Sequence, residues 1–158
     1  MTLTQRPIAL WDHLGLAAAH VATQMPGDIA DLAATHPGRI AGLLLCVPSR
    51  LDAWSFAGIA ARVAMISGTS GMTAEVTARA HERLPGSTRA VLTDYDAPGW
   101  ADVVADQTEA IVAAIRTLPG EATIPGLKAG SGVHAGITYQ VYGAGPALML
   151  LPFLAVKG

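Results

Sequence analysis

Short apolar runs alternate with amphipathic stretches along this chain, and the alternation predicts its elements. Runs rich in Val, Ile and Leu at residues 17–23, 39–47, 62–67 and 88–93 read as strands. The unbroken apolar centre of 39–47 is what a strand covered on both faces needs. Residues 26–35 predict a helix. Pro26 sits near its first turn, where a missing N–H costs little, Ile29, Leu32 and Ala33 recur on one face, and Pro37-Gly38 stops it. Residues 48–61 read as irregular, with one short helix carrying Trp54 and Phe56. Residues 68–73 (Gly68, Thr69, Ser70, Gly71, Met72, Thr73) read as a tight loop, with Thr73 as the N-cap of a helix over 74–84 that Pro85-Gly86 ends. A turn at 94–99 then leads into the longest predicted helix, 100–118, with Val103, Val104, Ile111 and Ile115 inward. Pro and Gly mark residues 119–131 as a linker. Beyond it, 133–142 alternates like a strand or bent hairpin, 143–146 is a turn, and 147–151 is a further apolar strand. Strands alternating with helices predict an α/β fold with a mainly parallel sheet.

Composition narrows the function classes. Hydrophobic residues make up 51% and charged residues 14%, which argues for a packed core over disorder. Net charge is −2 with no basic run, so nucleic acid is not an expected partner. No apolar run approaches the ~20 residues of a membrane span, and the longest, 147–156, is broken by Pro152, so no membrane partner is expected. Cys46 is the one cysteine; it permits no internal disulfide or multi-cysteine metal site and makes a reducing cytoplasm the default expectation. The residues before Trp11 lack the apolar run of a signal peptide. Neither cofactor nor metal is expected.

Residues 18–45, read as strand, sharp turn, helix and strand, resemble the nucleophile elbow of the α/β-hydrolase family, down to the His36-Pro37 that closes the helix. Residues 83–92 are similar to the family's approach to its last strand. Residues 137–152, Ile-Thr-Tyr-Gln-Val-Tyr-Gly-Ala-Gly-Pro-Ala-Leu-Met-Leu-Leu-Pro, resemble its opening strands, which lead into the oxyanion loop. The resemblance implies a minimal three-layer hydrolase-like core over 1–118 without a large lid, and puts the back half of the fold before the front half. A circular permutation accounts for this order, with the tail pairing against residues 17–23. So does a piece of a tandem hydrolase, in which 132–158 belong to a second copy. The end soon after Pro152-Phe153 and the missing strand and two helices favour the second. In either case an exposed sheet edge is expected to pair with another chain.

The resemblance also tests the chemistry position by position. The family's Gly-x-Ser-x-Gly turn reads Ala22, Thr23, Gln24, Met25, Pro26, so glutamine stands at the nucleophile. The Gly-x-x-Asp that supplies the acid reads Gly68, Thr69, Ser70, Gly71. Asp96 falls near the histidine position, and the oxyanion His-Gly reads Pro152-Phe153. The expectation is a hydrolase-like protein that has lost the Ser-His-Asp triad and binds a small apolar ligand or a partner chain. One alternative is an esterase with a displaced nucleophile, Ser49 or Ser70, and a base drawn from one of the histidines; Asp52 follows the second strand, where some members of the family carry an acid. Another is a phosphate or nucleotide binder using residues 68–73.

The remaining residues have structural readings. Gln24, Met25, Trp54, Phe56, Trp100 and Phe153 are the candidate pocket residues, because open α/β sheets bind ligands at the carboxyl edge. The competing reading has the aromatic residues roofing the core. His36 reads as a helix C-terminal cap, His20 as a core residue, His81 as part of a solvated face, and His13 and His134 as surface residues. Cys46 reads as a packed, inert thiol.

Overall fold

At the centre of the molecule is the strand β2 (Ile40–Cys46), whose successive side chains feed two separate cores. The computed structural model describes residues 4–93, 95, 107–119, 128–143 and 148–150. β2 lies between β1 (Ala19–Thr23) and β3 (Val63–Gly68), and β4 (Thr88–Leu92) pairs with β3. From the far end of the chain, β7 (Leu148–Leu150) pairs with the free side of β1, aligning His20 with Leu148 and Ala22 with Leu150. The sheet order is β4-β3-β2-β1-β7, and every pairing is parallel. The tail therefore pairs with the strand expected at 17–23.

The period-2 geometry of β2 sorts its residues. Leu43 and Leu45 face one side with Val21, Val63 and Met65. The helices α1 (Gln5–His13) and α2 (Gly27–Thr35) cover that side through Trp11, Ile29 and Leu32, joined by the 3-10 helix Ala53–Arg62 through Phe56 and Ile59 and by α3 (Gly71–Arg83) through Ala80. Leu44 and Cys46 face the other side with Ala22, Ala64 and Ile66, under α4 (Thr108–Arg116), which contributes Ile111 and Ala114. This is a three-layer α/β architecture. The 3-10 helix takes up the connection from β2 to β3, and no large lid is seen there. Among the described residues no helix is long and apolar enough to cross a membrane.

Several boundaries differ from expectation. α1 was not foreseen; Pro7 and a mixed composition obscured it, yet Pro7, Leu10 and Trp11 are buried. α3 starts three residues before its expected beginning. Ser70 holds the N-cap position, and Thr73 is not a cap but a buried residue of the first turn. Residues 68–73 are therefore not a six-residue loop. The last helix starts at Thr108 after Gln107, so it does not run unbroken from 100 to 118, and the 13-residue α3 is longer. Ile111 is buried and Ile115 packs on the same core. The expected turn at 94–99 and the inward Val103 and Val104 fall outside the described residues, Tyr95 apart. The linker ends earlier than composition suggests, because β5 (Gly130–His134) begins at Gly130. β5 and β6 (Ile137–Val141) form an antiparallel hairpin separate from the main sheet. Its two-residue turn, Ala135-Gly136, has φ of 51° and 76°, the positive pair that matches a tight hairpin to strand twist.

Candidate functional site

The carboxyl ends of the parallel strands form the edge where open α/β sheets place their sites. β1 delivers Gln24 and Met25 there. The Thr23 hydroxyl accepts the Met25 N–H at 3.0 Å, a local turn that fixes the exit of the strand. Gln24 is partly buried. Its φ is not positive; among described non-glycine residues only Val47 and Ala135 are in the left-handed region. The strained strand-to-helix turn that exposes a hydrolase nucleophile is thus absent at the position sequence singles out.

Strain sits one strand over instead. Val47, next after β2, has φ 48°, is fully buried, and donates its N–H to Ile66 O at 2.9 Å. A β-branched residue is rarely left-handed, and the following Pro48 disfavours the helical regions further. Such a conformation costs of the order of 1–3 kcal/mol and is held by its surroundings. Composition carries no sign of it.

β3 delivers Gly68, Thr69, Ser70 and Gly71. Gly71, at the expected acid position, has φ 83°, which a residue with a Cβ adopts only under strain. An aspartate there would take on a backbone strain that glycine avoids. Ser70 is exposed and its side chain makes no cap bond. Ser67 is fully buried against Thr77, whose hydroxyl lies 2.9 Å from Ser67 Oγ, and so is closed to substrate.

After β2, Ser49 is exposed. Asp52 caps the 3-10 helix, accepting Trp54 N–H at 3.2 Å on Oδ1 and the Ser55 hydroxyl at 2.9 Å on Oδ2. The two candidate aromatic residues of this segment part company. Phe56 is 1% exposed in the core, whereas Trp54 stands 81% exposed and roofs nothing. Met25 and Met72 are also exposed at this edge. Asp96, Trp100 and Phe153 lie outside the described residues.

The histidines are elsewhere. His13 is in the last turn of α1, His36 caps the C-terminus of α2, and His81 is in the last turn of α3, all helix ends that return to the amino ends of strands. His81 Nδ1 lies 2.9 Å from Oγ of Ser87, next before β4, and His36 Nδ1 lies 2.8 Å from Thr35 Oγ1. His20 is the second residue of β1 and is buried opposite Gly42. His134 stacks on His13. No family model, curated protein or solved structure matches this chain. The site therefore has to be read from its own residues.

Two further features complete the chemistry. Cys46 lies in the core, and burial pushes its thiol up from 9.0 to about 12, which keeps it protonated and unreactive at neutral pH. A shallow depression of about 610 Å³, lined by Gln5, Ile8, Ala9, Asp12 and His36, lies along α1 and not at the carboxyl edge. Among the described residues, no group of three or more His, Cys, Asp or Glu is placed to hold a metal.

Proposed function

We propose that this chain is a hydrolase-like α/β scaffold without triad chemistry, whose carboxyl edge binds a small apolar ligand or a partner chain. One observation carries the reading: the five histidines gather toward the amino side of the sheet, away from Ser49, Ser70 and Gln24 at the carboxyl edge. Triad chemistry needs an imidazole within hydrogen-bond reach of the nucleophile. A five-residue strand is roughly 16 Å long, several times that reach. Asp52 is committed to capping, and the acid position holds Gly71, which has no carboxylate. The exposed Met25, Trp54 and Met72 favour an apolar partner at this edge.

Treating the purified protein with a fluorophosphonate and weighing the intact chain tests the reading, with circular dichroism to verify folding. The expected result is an unmodified, folded chain, for Gln24→Ser as well as for the natural sequence. A single adduct mapped to a serine, or ester turnover by Gln24→Ser, would overturn it. The binding half is tested by thermal melting against a panel of apolar esters, since a ligand of the folded state raises Tm by mass action. A rise that disappears in Trp54→Ala is expected; no rise with any ester leaves the partner chain as the occupant.

A further inference from the structure

We propose that the depression along α1 binds a small alkylammonium ligand, its charged head held between Asp12 and His36 and its alkyl chain lying over Ile8 and Ala9. The depression measures about 610 Å³, within the range of small-molecule sites. Four of its lining residues, Gln5, Ile8, Ala9 and Asp12, recur at i, i+3, i+4 and i+7 and so share one face of α1. His36 reaches it from the end of α2. Gln5 to Asp12 spans about 10 Å along the helix, room for an n-hexyl chain laid lengthwise. The site lies toward the amino ends of the strands, away from the carboxyl edge.

The head end offers acceptors. Thr35 Oγ1 has one proton and donates it to Asp31 O at 2.6 Å. At its 2.8 Å contact with His36 Nδ1 the hydroxyl therefore accepts, and His36 Nδ1 carries the hydrogen. In the neutral ring Nε2 is then a lone-pair acceptor. Asp12 gives Oδ1 to Arg39 at 2.7 Å, and its Oδ2 is left to accept from a ligand. Arg39 also joins the two walls, because its backbone N–H donates to His36 O at 2.9 Å. Its guanidinium lies over Trp11 and is not part of the lining, so it does not fill the place of the head group.

Both acceptors stand at helix C-termini. Asp12 is in the last turn of α1 and His36 is the C-cap of α2, and the partial negative charge of both ends favours a cation. A primary ammonium has three donors and no acceptor, which suits this pair better than an anion does. The floor is apolar: Ile8 is partly buried and packs against the core, with Ala9 partly buried beside it. A charged head with an alkyl tail therefore meets both halves of the depression.

Titrating n-hexylammonium chloride into the full isotope-labelled chain tests this by amide chemical shifts, at constant ionic strength and about pH 8, where an ordinary imidazole is neutral. Saturable shifts are expected over residues 5–12 and 35–39. n-Hexanol keeps the tail without the charge and methylammonium the charge without the tail; each should bind at least about fivefold more weakly. His36→Ala and Asp12→Asn should each weaken n-hexylammonium by a similar factor. Shifts that do not saturate or that scatter over the surface overturn the site, as does equal binding by n-hexanol or by methylammonium, all read on the natural sequence. So does undiminished affinity in a folded His36→Ala protein.

Discussion

The Arg39 guanidinium lies 5.7 Å from the centre of the Trp11 ring. The same side chain donates to Asp12 Oδ1 at 2.7 Å and to Leu16 O at 3.0 Å, so one residue ahead of β2 pins both α1 and the turn that follows it. Asp12 is 63% exposed in this pair and Arg39 only 23%. Exposed ion pairs contribute little, whereas a guanidinium lying over an indole and bonded to a carbonyl contributes more. Arg39→Ala should cost about 1–3 kcal/mol in urea unfolding and Asp12→Ala less than about 1. Arg39→Lys should recover little of the loss, because an ammonium does not reproduce the guanidinium's joint reach to the Trp11 ring, Asp12 and Leu16 O. Equal losses for the two alanine variants would show that the ion pair, not the contacts to the ring and the carbonyl, matters.

Gly42 is required by its neighbour. A Cβ at this position would lie 2.6 Å from His20 Nδ1 and 3.1 Å from Leu118 Cβ. Gly42→Ala should destabilise by about 1–3 kcal/mol, the usual cost of overpacking. Adding His20→Ala should recover part of it, and a double-mutant cycle measured by chemical denaturation would reveal the coupling. Strict additivity would place the strain elsewhere.

Ala135 occupies a left-handed position at φ 51° that glycine or asparagine fills more easily. Ala135→Gly should strengthen the hairpin locally by up to about 1 kcal/mol, read as slower amide exchange over 130–141 at neutral pH. Faster exchange in the variant would mean that the turn is not limiting.

Cys46 makes stability depend on pH in the alkaline range. Its folded-state value, about 12, lies above the ordinary 9.0, so the folded state favours the neutral thiol. That contribution is complete below the ordinary value and is lost as pH rises from about 9 toward 12. The folded chain should resist iodoacetamide at pH 8, and the urea-unfolded chain should react quickly. Rapid labelling of the folded protein at this pH would contradict the buried position.

The parallel α/β core was legible because its signal is periodic and local. The apolar runs at 39–47 and 62–67 and the helical face of Ile29, Leu32 and Ala33 each declare themselves within one element. What escaped depends on residues distant in sequence or on backbone angles. Trp11 reads as one aromatic residue in a mixed segment, yet it is 1% exposed because Arg39 and Met149 meet it from far along the chain. His13 and His134 looked solitary because their partner is each other. At the candidate site, the lack of a nucleophile at Gln24 was visible from residue identity alone. The left-handed Val47 and the separation of histidines from the carboxyl edge belong to geometry and leave no mark on composition.

β7 ties the fold to an order of events in time. Trp11 Nε1 donates to Met149 Sδ at 3.3 Å across 138 residues of sequence, and the same short strand completes the flank of β1. The four leading strands connect by short crossovers and can assemble as the chain emerges from the ribosome, but β1 waits for a partner made much later. Until then its flank is a bare strand edge. Closure over such a distance is entropically slow compared with the local crossovers. The interval between synthesis of β1 and arrival of β7 is therefore the window in which a chaperone, or a neighbouring nascent chain, competes for the same backbone groups.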